Sequence, residues 1–123
     1  MVTPSEGSVV LVRFPFSDLS SSKLRPAVVL AFTGRDDWIL CQVTSNPYSD
    51  PTAIRINESD FEIGSLQRVS YARPGKLFTA NSSLMITETG RLHAMAFNNI
   101  INTIVDILQK AMKKYIVGHE WRE

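Results

Sequence analysis

Ser8-Val9-Val10-Leu11-Val12-Arg13-Phe14 and Pro26-Ala27-Val28-Val29-Leu30-Ala31-Phe32 are the two stretches on which the fold turns. Both have strand length and are rich in β-branched and aliphatic residues. The first ends at Pro15, which has no N–H to give a sheet ladder. The second is apolar on both faces, as a central strand is. Between them, residues 16–23 hold four serines and an aspartate, which is loop chemistry. Further along, Gly34-Arg35-Asp36-Asp37 predicts a turn, 38–44 a third strand, and 45–51, with two prolines, a loop. A short strand is expected over 52–56, then a polar patch over 57–60 that leads to Gly64. Residues 66–72 and 76–79 read as two strands divided by Pro74-Gly75, and 84–87 as another that Gly90 closes.

The period then changes. Ile100, Ile101, Ile104, Val105, Leu108, Ala111, Met112 and Tyr115 recur at three- and four-residue steps, the pattern of an amphipathic helix. Asp106, Gln109, Lys110, Lys113 and Lys114 fill its other face, the lysines near the C-terminal end where the helix dipole favours cations. Gly118 is a natural stop. Five to seven short strands and a terminal helix predict a mainly β fold, a small and strongly bent sheet or barrel.

The chain has 123 residues, which suits one domain across 1–123 with its core over about 6–116. An apolar fraction of 44% and a charged fraction of 20% are globular values and argue against disorder or coiled coil. A single cysteine, Cys41, leaves no internal disulfide framework and, within an apolar strand, reads as a small buried hydrophobe. No apolar run reaches the roughly 18–20 residues that span a bilayer. The first seven residues have neither the basic start nor the apolar stretch of a signal peptide, so a cytoplasmic setting is expected. Thirteen basic and twelve acidic side chains give a net +1, which excludes a general polycation. The distribution is uneven, −3 over residues 1–62 and +5 over 63–114. Two readings stand open: a local positive surface suited to a polyanion, or charges scattered over solvated faces.

His93, His119 and Cys41 fall at no metal-ligand spacing, and no glycine-rich phosphate loop precedes the helix. No metal or cofactor is therefore expected. His93, close to the helix start, reads as a cap or a surface residue. The remaining chemistry lies at strand ends. Arg25 stands before a strongly apolar strand and is held extended by Pro26, and Thr44-Ser45-Asn46 ends the third strand. A guanidinium beside hydroxyls matches the oxygens of a phosphate. The same residues also suit a surface ion pair and a turn.

Residues 7–18, with their Phe14-Pro15-Phe16 loop, followed by Lys23-Leu24-Arg25-Pro26-Ala27-Val28-Val29-Leu30, resemble the opening of the MazF/PemK toxins of type II toxin–antitoxin pairs. Val43-Thr44-Ser45-Asn46 is similar to that family's threonine-containing strand end, and 70–79 to its later Arg-x-Asp-Lys-Leu-Phe-Thr strand. The likeness spans about 6–112. It implies an SH3-like barrel with helices, a homodimer, a cognate acidic antitoxin, and metal-independent cleavage of single-stranded RNA at short sequences. By matching position it implies catalytic roles for Arg25 and Thr44, with Arg73 as a second cation. Two departures stand out: Gly7-Ser8 replaces Gly-Asp at the first strand, and Gly75 stands where PemK-type members often carry an aspartate.

Cleavage by an RNA's own 2′-OH needs a proton acceptor, a donor for the departing 5′-oxygen, and cations on the developing phosphorane. Ser45 and Asn46 are candidate hydrogen-bond partners for the RNA, and Lys23, Arg68 and Lys76 for its phosphates. Phe16 and Tyr71 are candidates for stacking on unpaired bases or, equally, for the core. Two other functions share the barrel. One is an RNA-binding module that has lost cleavage, which the missing carboxylate at Gly75 would suit. The other is a CcdB-like gyrase poison, against which stands a chain end lacking the expected Trp-Gly-Ile.

Overall fold

Alternating side chains of the early strands feed two separate apolar layers. In the computed structural model, which describes residues 2–14 and 23–119, β1 (Ser8–Phe14) pairs antiparallel with β2 (Lys23–Gly34), and β2 with β3 (Asp37–Thr44). Val9, Val28, Cys41 and Val43 pack into one core with Leu92, Ile100 and Ile104. Val10, Val12, Ala27, Val29 and Leu40 pack into another with Ala80 and Met85. The residues of both layers are buried, and removing that much apolar surface from water is what drives the strands together.

The remaining elements are β4 (Ile54–Ile56), β5 (Phe61–Gly64), β6 (Ser70–Asn81), β7 (Met85–Leu92) and α1 (Ala94–Gly118). Short 3-10 turns at Glu58–Asp60 and Ser82–Leu84 precede β5 and β7. The seven strands form one antiparallel sheet in the order β4-β6-β3-β2-β1-β7-β5. The sheet curls into the half-barrel expected from the strand pattern, with α1 packed on it. The β2–β3 hairpin turns at Arg35 and Asp36, both left-handed (φ 54° and 63°), as a two-residue hairpin loop requires. At the start of β1, Ser8 Oγ donates to Glu88 Oε2 at 2.8 Å.

Three sequence expectations change. Residues 66–72 and 76–79 are not two strands: β6 runs unbroken from Ser70 to Asn81. Its register against β3 jumps from Cys41↔Leu77 to Val43↔Ala72, so 73–76 bulge opposite the single Gln42. Pro74, which lacks a donor, is accommodated in that bulge and buried there. Next, β5 is a strand where only a polar lead-in to Gly64 was expected, and β7 continues through Gly90 to Leu92. The two changes have one cause, because Gly64 pairs with Gly90 across β5–β7. A Cβ on Gly90 would lie 2.5 Å from the Ile63 carbonyl oxygen and 2.8 Å from the Phe61 ring, so both strands need the glycine.

His93 caps α1, its Nδ1 accepting from Ala96 N at 3.3 Å. Only the first half of the apolar stripe is buried, at Ile100 and Ile104. Leu108, Met112 and Tyr115 are exposed although they continue the same periodicity. Among the described residues no helix is long and apolar enough to cross a membrane.

The glycine contact gives a direct test. Gly90→Ala should lower the free energy of urea unfolding by about 1–3 kcal/mol, the usual cost of overpacking. Gly75→Ala, whose added methyl meets nothing within 4 Å, should change it by less than about 0.5 kcal/mol.

Candidate nucleic-acid interface

Where β1, β2 and β3 reach the end of their apolar runs, a cavity of about 410 Å³ opens. Its walls include Lys23, Arg25, Thr44, Ser45, Arg68 and Tyr48, over an apolar floor of Leu11, Pro26, Val43 and Leu66. The sheet brings Arg25 and Thr44 to one end: β2 and β3 pair antiparallel as far as Ala27↔Gln42, and both residues lie just beyond that pair and line the cavity. Three cations and no carboxylate line the cavity among the described residues. Such a surface attracts an anion, and its hydroxyls and guanidinium give that anion hydrogen-bond donors.

Thr44 also holds the loop that follows it. Its Oγ1 donates to the Asn46 carbonyl at 3.0 Å and accepts from Asn46 N at 3.2 Å. Asn46 Oδ1 accepts from Tyr48 N at 3.0 Å, and Asp50 N donates to the Pro47 carbonyl at 2.9 Å. Asp50 then accepts from Thr52 N at 2.9 Å and from the Thr52 hydroxyl at 2.7 Å. The other Asp50 oxygen accepts from Arg73 Nε at 3.0 Å, with the two side chains only 12% and 18% exposed. The loop is therefore tied at one end to Thr44 and at the other to the β6 bulge.

Of the residues singled out from sequence, Lys23, Arg25, Thr44, Ser45 and Arg68 line this cavity. Asn46 lies behind it, bonded to Thr44. Tyr71 pairs in register with Thr44 on one side and Arg55 on the other, and is half-buried. Arg73 is not among the lining residues: its guanidinium is engaged by Asp50. Lys76 lines a different cavity, of about 420 Å³, with Arg13, Gln42 and Phe78. Phe16 lies outside the described residues. Sequence reasoning missed Tyr48 and Ser70. The signal for Tyr48 was there to be used: an aromatic inside a polar loop bounded by Pro47 and Pro51 has no place in a period-two core. Ser70 gave no such signal, being one more hydroxyl in a polar stretch.

Among the described residues no group of three or more His, Cys, Asp or Glu is arranged to hold a metal ion. Cys41 is fully buried beside the bulge. Burial pushes its thiol up to about 12, opposed by a hydrogen bond from the Arg73 backbone and helped by the nearby Asp50 charge. Asp50 moves the other way. Hydrogen bonds from the Thr52 hydroxyl and amide, and then from Arg73, hold its carboxyl below the ordinary carboxylate range.

Both shifts make predictions. Cys41 should resist iodoacetamide at pH 8 in the native protein and react fully in urea, as mass spectrometry would show. A depressed carboxyl stabilises the fold above its unfolded pKa of about 3.9, and that contribution is lost as pH falls through the lower folded value. Asp50→Asn should therefore lower the melting temperature by a few degrees at pH 7. The gap to the wild type should close as the pH drops below about 4.

Solved structures of similar shape include proteins from mycobacteria and from Deinococcus radiodurans. An endoribonuclease in complex with its cognate antitoxin, from a mycobacterial species, superposes with a TM-score of 0.66 at 15% identity, over 89% of this chain and 96% of that one. MazF in a MazE–MazF complex from Deinococcus radiodurans gives 0.71 at 16% identity, over 89% and 98%. The Mycobacterium tuberculosis toxin MazF-mt6 gives 0.63 at 13% identity, over 83% and 96%. At such identities the likeness establishes the fold alone. No curated protein sequence matches the chain. The family model for the PemK-like, MazF-like toxin of type II toxin–antitoxin systems, however, matches residues 5–108. That match takes in every strand, the cation-lined cavity and the packed half of α1, and on it the chain belongs to the PemK-like, MazF-like toxin family.

Proposed function

We propose that this chain is the toxin of a type II toxin–antitoxin pair and an endoribonuclease that cuts single-stranded RNA, mRNA included, at the Arg25–Thr44 cavity. The observation that carries the reading is the convergence of Arg25, Thr44, Lys23 and Arg68 on one cavity, with no carboxylate lining it among the described residues. The fold relatives described as endoribonucleases add support.

The reaction is a transesterification. The 2′-oxygen attacks the adjacent phosphorus, the P–O5′ bond breaks, and a 2′,3′-cyclic phosphate and a 5′-hydroxyl result. The proton lost by the 2′-OH is balanced by the one gained at O5′. The nucleophile belongs to the RNA, so no metal-bound water is called for. Arg25 stabilises the charge that builds on the phosphorane oxygens, and its forked donors reach two of them. A guanidinium is a permanent cation, so it serves as a hydrogen-bond donor and a fixed charge, not as a base. Thr44 orients the scissile phosphate, assisted by Ser45. Lys23 and Arg68 hold neighbouring phosphates, a salt-sensitive and sequence-independent contribution. Arg73, expected as a second cation at the phosphate, acts in this reading one step removed, by fixing Asp50 and the loop that Thr44 begins. The protein works as a homodimer in the cytoplasm, where a cognate acidic antitoxin covers the cation-lined cavity. The toxin–antitoxin complexes among its fold relatives support such a partner.

A second reading has one observation behind it: neither a carboxylate nor an imidazole lines the cavity among the described residues, and Gly75 leaves the family's aspartate position empty of acid. A module that binds RNA without cutting it would need neither. Purified protein incubated with single-stranded RNA and EDTA separates the two, cleavage fragments meaning an enzyme and gel retardation of intact RNA a binder. For the enzyme, Arg25→Ala should lower kcat by about 10²–10³ with an unchanged melting temperature. Arg25→Lys should restore little of it. Thr44→Ala should abolish detectable cleavage and Thr44→Ser retain most of it. RNA left intact by the wild type, or full activity in both alanine variants, would overturn the mechanism.

A further inference from the structure

We propose that Tyr48 is a base-stacking platform, an aromatic residue held by its backbone at the cavity to take one unpaired nucleobase of the RNA. This rests on the RNA-cleaving function proposed above and adds a specificity determinant to it. The ring lines the cavity beside Arg68 and Lys23, yet Tyr48 is 68% exposed and belongs to neither apolar core. Its backbone is left-handed, with φ of 52°, and so is that of Ser49, with φ of 62°. A bulky L residue adopts that conformation only where its surroundings force it, and such strain gathers at ligand clamps.

The forcing groups are those that hold the loop. Asn46 Oδ1 takes the Tyr48 amide, Thr44 grips Asn46 from both sides, and the Pro47 carbonyl takes the Asp50 amide. The Asp50 clasp to Thr52 and Arg73 closes the far end. The backbone that carries the ring is thus held by the same bonds that tie the loop to Thr44, and so to a phosphate bound there. A flat, two-torsion side chain on a backbone held in advance loses little freedom when a base lies on it. Single-stranded RNA is read in this way, by bases splayed onto aromatic faces while cations follow the backbone. Arg73 is then a positioning residue, acting on the base through Asp50 and the loop.

The experiment uses the purified full chain, an RNA whose cut site has been mapped by sequencing fragment ends, and a set of its copies each carrying one abasic ribose. Tyr48→Phe keeps the ring and should cut like the wild type. Tyr48→Gly removes the ring and relieves the left-handed backbone, so its melting temperature should not fall. Its KM should rise about tenfold with kcat little changed. One abasic position should cost the wild type a similar factor and cost Tyr48→Gly nothing more. If Tyr48→Gly cuts every substrate with wild-type KM, or is impaired equally on all the abasic copies, stacking on Tyr48 is wrong while the RNA-cleaving function stands. If the wild type neither cuts nor binds the RNA, both fall.

Discussion

Val9, Val10, Val12, Val28, Val29, Leu40, Cys41 and Val43 are buried on both faces of the central strands, and strands filled in this way can carry polar chemistry only at their ends. That constraint decides where everything else goes. Arg25 and Thr44 are the first residues beyond the apolar stretches of β2 and β3, and the antiparallel course of the two strands brings both to one cavity. The loop after Thr44 starts from the same place and turns back over the cavity. The site is in this sense a boundary effect of the core: where valines stop, hydrogen-bonding groups are allowed, and adjacent strands stop together.

Charge obeys a second constraint. The +5 of residues 63–114 suggests a broad positive groove, but burial and pairing divide it. Arg68 joins Lys23 and Arg25 at the cavity, Arg73 is neutralised by Asp50, and Lys76 faces another depression. The lysines of α1 lie on its outer, exposed surface. Three converging cations suffice to define an anion site on a chain of net +1. A guanidinium bound to a half-buried carboxylate organises the backbone around it and contributes little field outside.

The strands that the chain announces by dense β-branched runs were legible because their pattern is local and both faces agree, β1 and β3 almost to the residue and β2 in its apolar centre, 26–32, which extends at both ends to Lys23 and Gly34. The hairpin at Arg35-Asp36 and the helix period were legible for the same reason. Elements made by long-range pairing were not. Phe61–Gly64 has no strand signal of its own length, and becomes β5 only because Gly90, about 25 residues later in the chain, lets its backbone approach. The helix stripe misled in the opposite direction: periodicity marks an apolar face and cannot say which part of it the sheet is wide enough to cover. At the site, Arg25 and Thr44 could be picked out because proline and strand ends flag them. Tyr48 stood out only as an aromatic in a polar loop, and its place at the cavity was not legible, since it depends on two left-handed residues and on an aspartate reaching the β6 bulge.

The bulge around Pro74 has one more consequence. Along an uninterrupted strand all even-numbered side chains point one way. In β6 they do not: Ala72 enters the core beneath α1, and Ala80 enters the opposite one. The register step of three residues is odd, so it reverses the strand's parity: the even-numbered side chains change from one layer to the other across the bulge. Chain length within 73–76 is thereby quantised. Losing or gaining one residue there would turn half of β6 inside out, whereas a change of two would preserve both cores and alter only the size of the bulge that presents Arg73 to Asp50.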